Sequence, residues 1–497
     1  MTIMLALLQS SIQTHAQTSI LKTRGNQVAS IQVIVQKNSG YDSLQIDLWK
    51  EYLSTSPSLS ILASKRFDYS KPGTLKISDF SRTAYFALKT FNGKETDYLA
   101  YFPISPGDHV NLIVSNGKIR FTGIGSDKMN LAYELEQMES DFTKRFYRSQ
   151  HTSKAESKYS KIPVVAEFSN YLNLPLDSLL NLKLALVQKR YPKLSQEDKD
   201  IFKANTITQE YKKRLWTLVT TEKTILRLDS SSITPLLQEL YNNNIALLTV
   251  PDLPGNIQTY CPDYSLIKLL QWKFGIRYGN DFPKNQYDIV KYANTFRPAL
   301  RDKLLTEYML NRGLNKLDTA FTAKAMQVIQ NPDYLSLLSD LNSNLTIGKP
   351  AYDFSLENAQ GKLSKLSDFK GKVVFLDFWF TGCLGCTAHY KYVLSKVEQH
   401  FKGNPYIAFI SISVDVNRKT WIESVGKSQY TDPEGINLYT QGKGLHHDLI
   451  KKYNIQSFPT FIIIDKNMKN VNINNGIKRW SEQELIAYLE NLIKVRI

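Results

Sequence analysis

The hydrophobic pattern changes twice along the chain, and each change marks a different kind of structure. From about residue 27 to 125, short apolar stretches alternate with polar residues. Leu44-Gln45-Ile46-Asp47-Leu48 alternates strictly, and Ala29–Val35 and His109–Val114 do so in part. Turn residues punctuate them at Pro72-Gly73, Asn92-Gly93 and Ser105-Pro106-Gly107-Asp108. Closely spaced strands of this kind predict a β-sandwich-like domain.

From Gly125-Ser126-Asp127 to about residue 342, glycine is sparse and apolar residues fall at helical spacing. Leu131, Leu135 and Met138 recur at i, i+4, i+7, and Leu179, Leu182, Leu186 and Val187 at i, i+3, i+7, i+8. Leu304, Leu305, Tyr308 and Met309 form a shorter run. Asp177 and Ser195 are placed as N-caps, and Pro251 to Pro254 and Pro262 interrupt the pattern. An all-α middle region is expected over 127–342.

A third pattern begins near residue 345. Lys372–Phe380 is an apolar run holding one acid, Asp377, and fits a central strand buried on both faces. Thr381-Gly382-Cys383-Leu384-Gly385-Cys386 follows, then a helical pattern to about His400. Tyr406–Val414 reads as another buried strand, His447–Tyr453 as a helix, and Ser457–Asp465 as a strand entered through Pro459. Ser481 and Glu484 form a capping box for a last helix reaching about Val495.

Composition narrows the chemistry. At roughly 150 residues per domain, 497 residues suggest about three domains. The 42% hydrophobic and 22% charged content is that of a folded chain. Three cysteines cannot build a disulfide scaffold. The net charge of +16 is spread over scattered lysines such as Lys144, Lys154, Lys158, Lys161, Lys212 and Lys213. That distribution reads as a solvated basic surface, with no nucleic-acid partner. Ile3–Leu8 followed by Thr14-His15-Ala16 has the pattern of a cleaved leader, so residues 1–16 are expected to be a signal peptide. No later apolar run reaches about 18 residues, so no membrane-spanning helix is expected.

The cysteines carry the chemistry. Cys261 stands alone and reads as an inert thiol. Cys383 would sit at a helix N-terminus, where free N–H groups and the macrodipole favour a thiolate, and Cys386 lies one turn on. One thiol can attack a partner disulfide and the other can resolve the mixed disulfide. Strand alternation puts Val373, Phe375, Asp377 and Trp379 on one face. A carboxyl there should resist ionisation and suit proton transfer for the second cysteine. A cis Phe458-Pro459 bond would leave backbone groups free to pair with a substrate. Zinc would require His389 or His446-His447 beside the two cysteines, and no metal site is expected.

Several stretches together resemble the thioredoxin fold of the TlpA-like (ResA-like) disulfide reductases. They are Gly348–Leu356, Leu366–Val374, Asp377-Phe378-Trp379, Cys383–Cys386, Phe458-Pro459-Thr460 and Ile464-Asp465. The resemblance covers roughly residues 345–497. It implies Cys383 as nucleophile, Cys386 as resolving thiol, a redox-active Cys383–Cys386 disulfide, Asp377 as the buried acid and Pro459 as the cis-proline. A client would dock on Phe458, Pro459, Thr460, Gly382 and Trp379. The 27–125 segment more weakly resembles the N-terminal domain fused to such modules in extracytoplasmic bacterial proteins.

Two departures from the family pattern carry expectations. Gly382 replaces the usual Trp before the first cysteine, which should bare the nucleophile, and Gly385 replaces the usual Pro, which should loosen the turn. Ser411 falls about where thioredoxin has a lysine. The resulting expectation is a periplasmic thiol–disulfide oxidoreductase reducing client proteins. It has no cofactor beyond the cysteine pair and depends on an external thiol reductant, membrane-linked or periplasmic. The alternatives are a thiol peroxidase, for which Phe380 stands where a peroxiredoxin has Thr, and a binding protein with a vestigial redox domain.

Overall fold

A computed structural model describes residues 28–150, 176–225, 238–278 and 288–494, apart from positions 50, 70, 79, 81, 93, 240, 244, 256 and 474–475. The expected leader at 1–16, Lys154, Lys158, Lys161, the Gly93 half of one turn and the last helix beyond residue 494 lie outside the described residues. The chain divides into two compact units, residues 1–308 and 309–497.

The first unit opens with eight strands. They are β1 (Ala29–Val35), β2 (Ser43–Trp49), β3 (Ile61–Asp68), β4 (Gly73–Ile77), β5 (Ala84–Asn92), β6 (Lys94–Ile104), β7 (His109–Ser115) and β8 (Lys118–Ile124). They form two four-stranded sheets, ordered β4-β1-β7-β8 and β3-β2-β5-β6. Alternation sends Ile31 and Val33 of β1, Leu44, Ile46 and Leu48 of β2, and Val110 and Leu112 of β7 into one shared core. Phe102 lies 5.3 Å from both Phe86 and Phe121 at its centre.

The Ser105–Asp108 turn is pinned from inside. Asp108 accepts a hydrogen bond from Ser105 N (2.6 Å) and pairs with buried Lys128 (2.6 Å), while Gly107 takes a φ of 85°. A buried charge is tolerated there because it is both bonded and paired.

Five long helices follow in this part of the chain: α1 (Ser126–Gln150), α2 (Leu176–Lys189), α3 (Gln196–Ile225), α4 (Tyr264–Tyr278) and α5 (Pro298–Arg312). Ser195 caps α3 by accepting from Asp198 N at 3.0 Å. Asp177 lies inside the first turn of α2 rather than at its cap, where it receives Arg214 at 3.0 Å. Helix α4 buries eleven of its fifteen residues, Lys268 among them, and turns Lys273 and Arg277 outward. Cys261, just before it, has no exposed surface.

The second unit takes in the end of α5 from Met309 and continues with α6 (Thr319–Val328) and α7 (Pro332–Leu345), capped by Asp318 and Asn331. Seven strands then form one sheet: β9 (Ser355–Asn358), β10 (Leu363–Lys365), β11 (Val373–Trp379), β12 (Ile407–Ser413), β13 (Ile436–Tyr439), β14 (Thr460–Ile464) and β15 (Asn470–Ile473), in the order β10-β9-β13-β12-β11-β14-β15. Strand β11 is parallel to β12 and antiparallel to β14. Its seven residues are all buried, as an apolar run flanked on both sides requires.

The helices of this unit are α8 (Leu384–His389), a π-helical turn at Tyr390–Leu394, α9 (Ser395–His400), α10 (Arg418–Gly426), α11 (Asp448–Lys452) and α12 (Glu482–Lys494). The Ser481–Glu484 capping box closes reciprocally, with Ser481 N donating to Glu484 at 2.7 Å and Glu484 N donating to Ser481 Oγ at 3.3 Å. His447 caps α11, its Nδ1 accepting from Leu449 N at 3.2 Å.

Candidate active site: the Cys383–Cys386 turn

Strand β11 ends at Trp379, and the chain reverses before α8. The reversal is held by side chains rather than by length. Thr381 donates to Asp415 from its N (2.9 Å) and its Oγ1 (2.8 Å), and Gly382 N donates to the Tyr430 hydroxyl at 2.8 Å. Gly382 has a φ of 98°, a conformation that a side chain would strain.

Cys383 is the N-cap of α8. Its Sγ accepts from Cys386 N at 3.1 Å, and the two cysteines are joined as a disulfide. The sulfur of Cys383 therefore sits on the free N–H groups of the helix, where a thiolate would be stabilised in the reduced form.

The expectation that Gly382 leaves the nucleophile bare is not met, since Cys383 is 5% exposed. It packs in a cluster with Trp379, Trp421, Tyr430 and Tyr439. Trp379 stacks on Tyr430 at 4.6 Å and Trp421 on Tyr439 at 4.8 Å, so aromatic surface from neighbouring elements closes what the missing Trp would have covered. Trp379 itself has no exposed surface. It supports the turn from below and is not on a face that a client could touch. Nor is the Gly385 turn left empty: a Cβ there would lie 3.4 Å from Pro459 Cδ, so the proline ring fills that space.

The Phe458-Pro459 bond is cis. Thr460, which follows, is buried and donates to Ser457 O at 2.6 Å, tying the loop to itself. On the outer side, Leu384 is 83% exposed, and half-exposed Phe380 sets its ring edge-on to Phe458 at 5.4 Å. Sequence reasoning missed this apolar rim. The signal was an apolar residue between the cysteines and another just after a strand end, where polar residues would ordinarily face water.

Asp377 pairs in register with Ser411 on β12 and Phe461 on β14. No lysine faces it from β12, and Ser411 Oγ is occupied by Trp379 Nε1 at 2.6 Å. Its Oδ1 has no hydrogen-bond partner among the described residues. Burial, and next the Glu398 carboxyl, holds the Asp377 carboxyl well above the usual carboxylate range. Glu398 is pushed up to about 7, mostly by burial and then by Asp432.

His389 lies one turn after Cys386. Its ring lies on Phe461 at 4.4 Å, and both ring nitrogens are buried without partners. Burial and then Lys478 lower it to about 4, so it is neutral near pH 7. Among the described residues no three His, Cys, Asp or Glu side chains gather as metal ligands.

Parallel strands β13-β12-β11 continuing into antiparallel β14, with a cysteine pair at the carboxyl end of β11 and a cis-proline opposite, are the arrangement of the thioredoxin fold. Its chemical class here is that of the thiol–disulfide oxidoreductases.

Comparison with known proteins agrees. The thioredoxin-like family profile matches residues 371–470. The chain is 30% identical to thiol-disulfide oxidoreductase ResA of Bacillus thuringiensis over 149 residues, covering 30% of this chain and 79% of that protein. It is 27% identical to ResA of Bacillus subtilis over 151 residues, 30% of this chain and 78% of that protein. The thioredoxin domain of a thiol-disulfide oxidoreductase from Bacteroides vulgatus is 25% identical, covers 30% of this chain and 99% of its own, and superposes with a TM-score of 0.26. Through this region the chain belongs to the ResA (TlpA-like) thiol–disulfide oxidoreductases, and it is an enzyme of that class.

Proposed function

We propose that the protein reduces disulfides of client proteins outside the cytoplasm. The observation that carries this reading is the Cys383–Cys386 pair at a helix N-terminus, packed against a cis-proline loop and rimmed by exposed Leu384 and Phe380. In the reduced enzyme the Cys383 thiolate attacks one sulfur of a client disulfide. The other client sulfur leaves as a thiolate and takes a proton from solvent. Cys386 then loses its proton, with Asp377 as the acid/base, and attacks the Cys383 sulfur. The second client sulfur is expelled as a thiolate, and Asp377 supplies its proton. The client gains two electrons, and the enzyme is left with the Cys383–Cys386 disulfide, which an external dithiol must reduce. No other cofactor enters this cycle.

The client segment docks beside Phe458, Pro459 and Thr460 and over Gly382, with Trp379 stiffening the turn beneath. Two four-stranded sheets around one core support reading 27–125 as a β-sandwich. The helices that follow support an α-helical 127–342 and a thioredoxin-like 345–497. A cleaved leader at 1–16 and a periplasmic location complete the reading. Among the described residues no helix is long and apolar enough to cross a membrane.

The test is trapping with Cys386→Ser, which should accumulate a mixed disulfide between Cys383 and its client. A midpoint potential near that of a strong periplasmic oxidant, about −120 mV, would overturn the reductive direction.

A further inference from the structure

A cavity of about 190 Å³ lies in the second compact unit, bordering the cis-proline loop. Arg312, the last residue of α5, with Asn315 and Lys316 just after it, lines one part of it; Asn454, Ser457 and Thr460 line another. Ser457 and Thr460 flank the Phe458-Pro459 peptide, whose proline ring lies against Gly385 between the two cysteines. The cavity is thus built partly from the loop on which a client strand would lie. Its volume equals about six waters at roughly 30 Å³ each and falls below the roughly 300 Å³ at which cofactor pockets begin. It suits one or two side chains of a bound segment.

Its charge is one-sided. Among the described residues lining it there are two cations, Arg312 and Lys316, and no Asp or Glu. A third cation, half-buried Lys478, donates to Ser457 Oγ at 3.3 Å, and its ammonium is disfavoured by burial and then by Lys316. Arg312 and Lys316 are exposed at its rim, and an anion seated between them would also relieve the repulsion that Lys316 exerts on Lys478. Arg312 offers a planar fork matched to a carboxylate, and Asn315, Asn454 and Ser457 add neutral hydrogen-bonding groups.

We propose that this cavity is a specificity pocket taking an acidic side chain of the client near its reactive cysteine. The inference deepens the client-reduction reading and rests on it.

Two disulfide-linked peptides, identical except for Glu-Glu or Gln-Gln beside the cysteine, test it with the full-length reduced enzyme. The acidic peptide should be reduced with a kcat/KM about fivefold higher, and Arg312→Gln/Lys316→Gln should erase that preference. The same variant should leave the neutral peptide and 2-hydroxyethyl disulfide unchanged. The wild-type preference should also shrink between about 0.05 M and about 0.5 M salt, a readout independent of any substitution. Equal rates for the two peptides at low salt would overturn the pocket while leaving the reductase standing. Serine-for-cysteine versions of both peptides separate the opposite case. If the acidic one binds about fivefold tighter, with loss of that gain in the variant, but neither disulfide is turned over, the pocket stands and the reductase reading falls.

Discussion

Each compact unit buries acids and a thiol, but it treats them differently. In the first unit Glu307 has no exposed surface, yet its Oε1 accepts from Ser54 N and Ser265 Oγ, both at 3.0 Å. Lys303 lies near it, and neighbouring Asp263 accepts from Ser54 Oγ at 2.7 Å and pairs with Lys212 at 2.9 Å. In the second unit Asp377 is almost as buried but accepts no hydrogen bond from the described residues, where Glu307 leaves only its Oε2 without a partner, and the electrostatic neighbour of Asp377 is a second carboxyl. The thiols follow the same division. Cys261 is sealed in the helical core and burial pushes it up to about 12, whereas Cys383 and Cys386 share a helix N-terminus. A buried acid held by donors ties chain segments together; one left without them is free to hold or release a proton.

The largest expected effect is on the thiols. Cys383→Ser should lower reduction of a protein disulfide by roughly 10³-fold or more, while Cys261→Ser should leave the rate within about twofold. A Cys261 variant that lost turnover while remaining folded would collapse the contrast. Next come the acids. Asp377→Asn should slow turnover by roughly 10²-fold near pH 7. Glu307→Ala should leave turnover per folded molecule unchanged but cost about 2–4 kcal/mol of stability in chemical denaturation.

The pH dependence of stability sharpens the same point. Native Asp377 keeps its proton to higher pH than the unfolded chain does. As pH rises above the ordinary carboxylate value the unfolded state is favoured, until native Asp377 ionises in turn. Asp377→Asn should therefore gain in melting temperature relative to wild type as pH rises across that window. The smallest effect is at His389, whose lowered value gives the opposite slope. The unfolded chain binds a proton first as pH falls, so wild-type stability is lost between about 6.5 and about 4. His389→Gln should flatten that decline in a melting series.

Much of the site was legible because its signals are local. A strand of continuous apolar residues, a cysteine pair at the following turn, and Ser195 and Ser481 ahead of helical runs each depend on neighbours a few residues away. What escaped depends on distance. Burial of Cys383 comes from Tyr430 and Trp421, some forty residues on, and no spacing rule near Gly382 could reveal it. The Ser54–Glu307 bond joins residues 253 apart. The parallel β1–β7 pair likewise follows from chain path rather than pattern. His389 escaped for another reason: its spacing from the cysteines speaks only of metal binding, and only the packing on Phe461 shows that both nitrogens are dry. The compact-unit boundary after Tyr308 falls inside the α5 periodicity, which continues across it unbroken.

The sealing of Cys261 has a consequence for measurement. With its sulfur enclosed by the helical core, an alkylating reagent offered to the folded protein meets only one couple. The mass added at a given ambient potential should step between zero labels and those of the Cys383–Cys386 couple, with no contribution from Cys261. The protein can report its own redox poise by weight alone, and no cysteine needs to be removed to make the reading unambiguous.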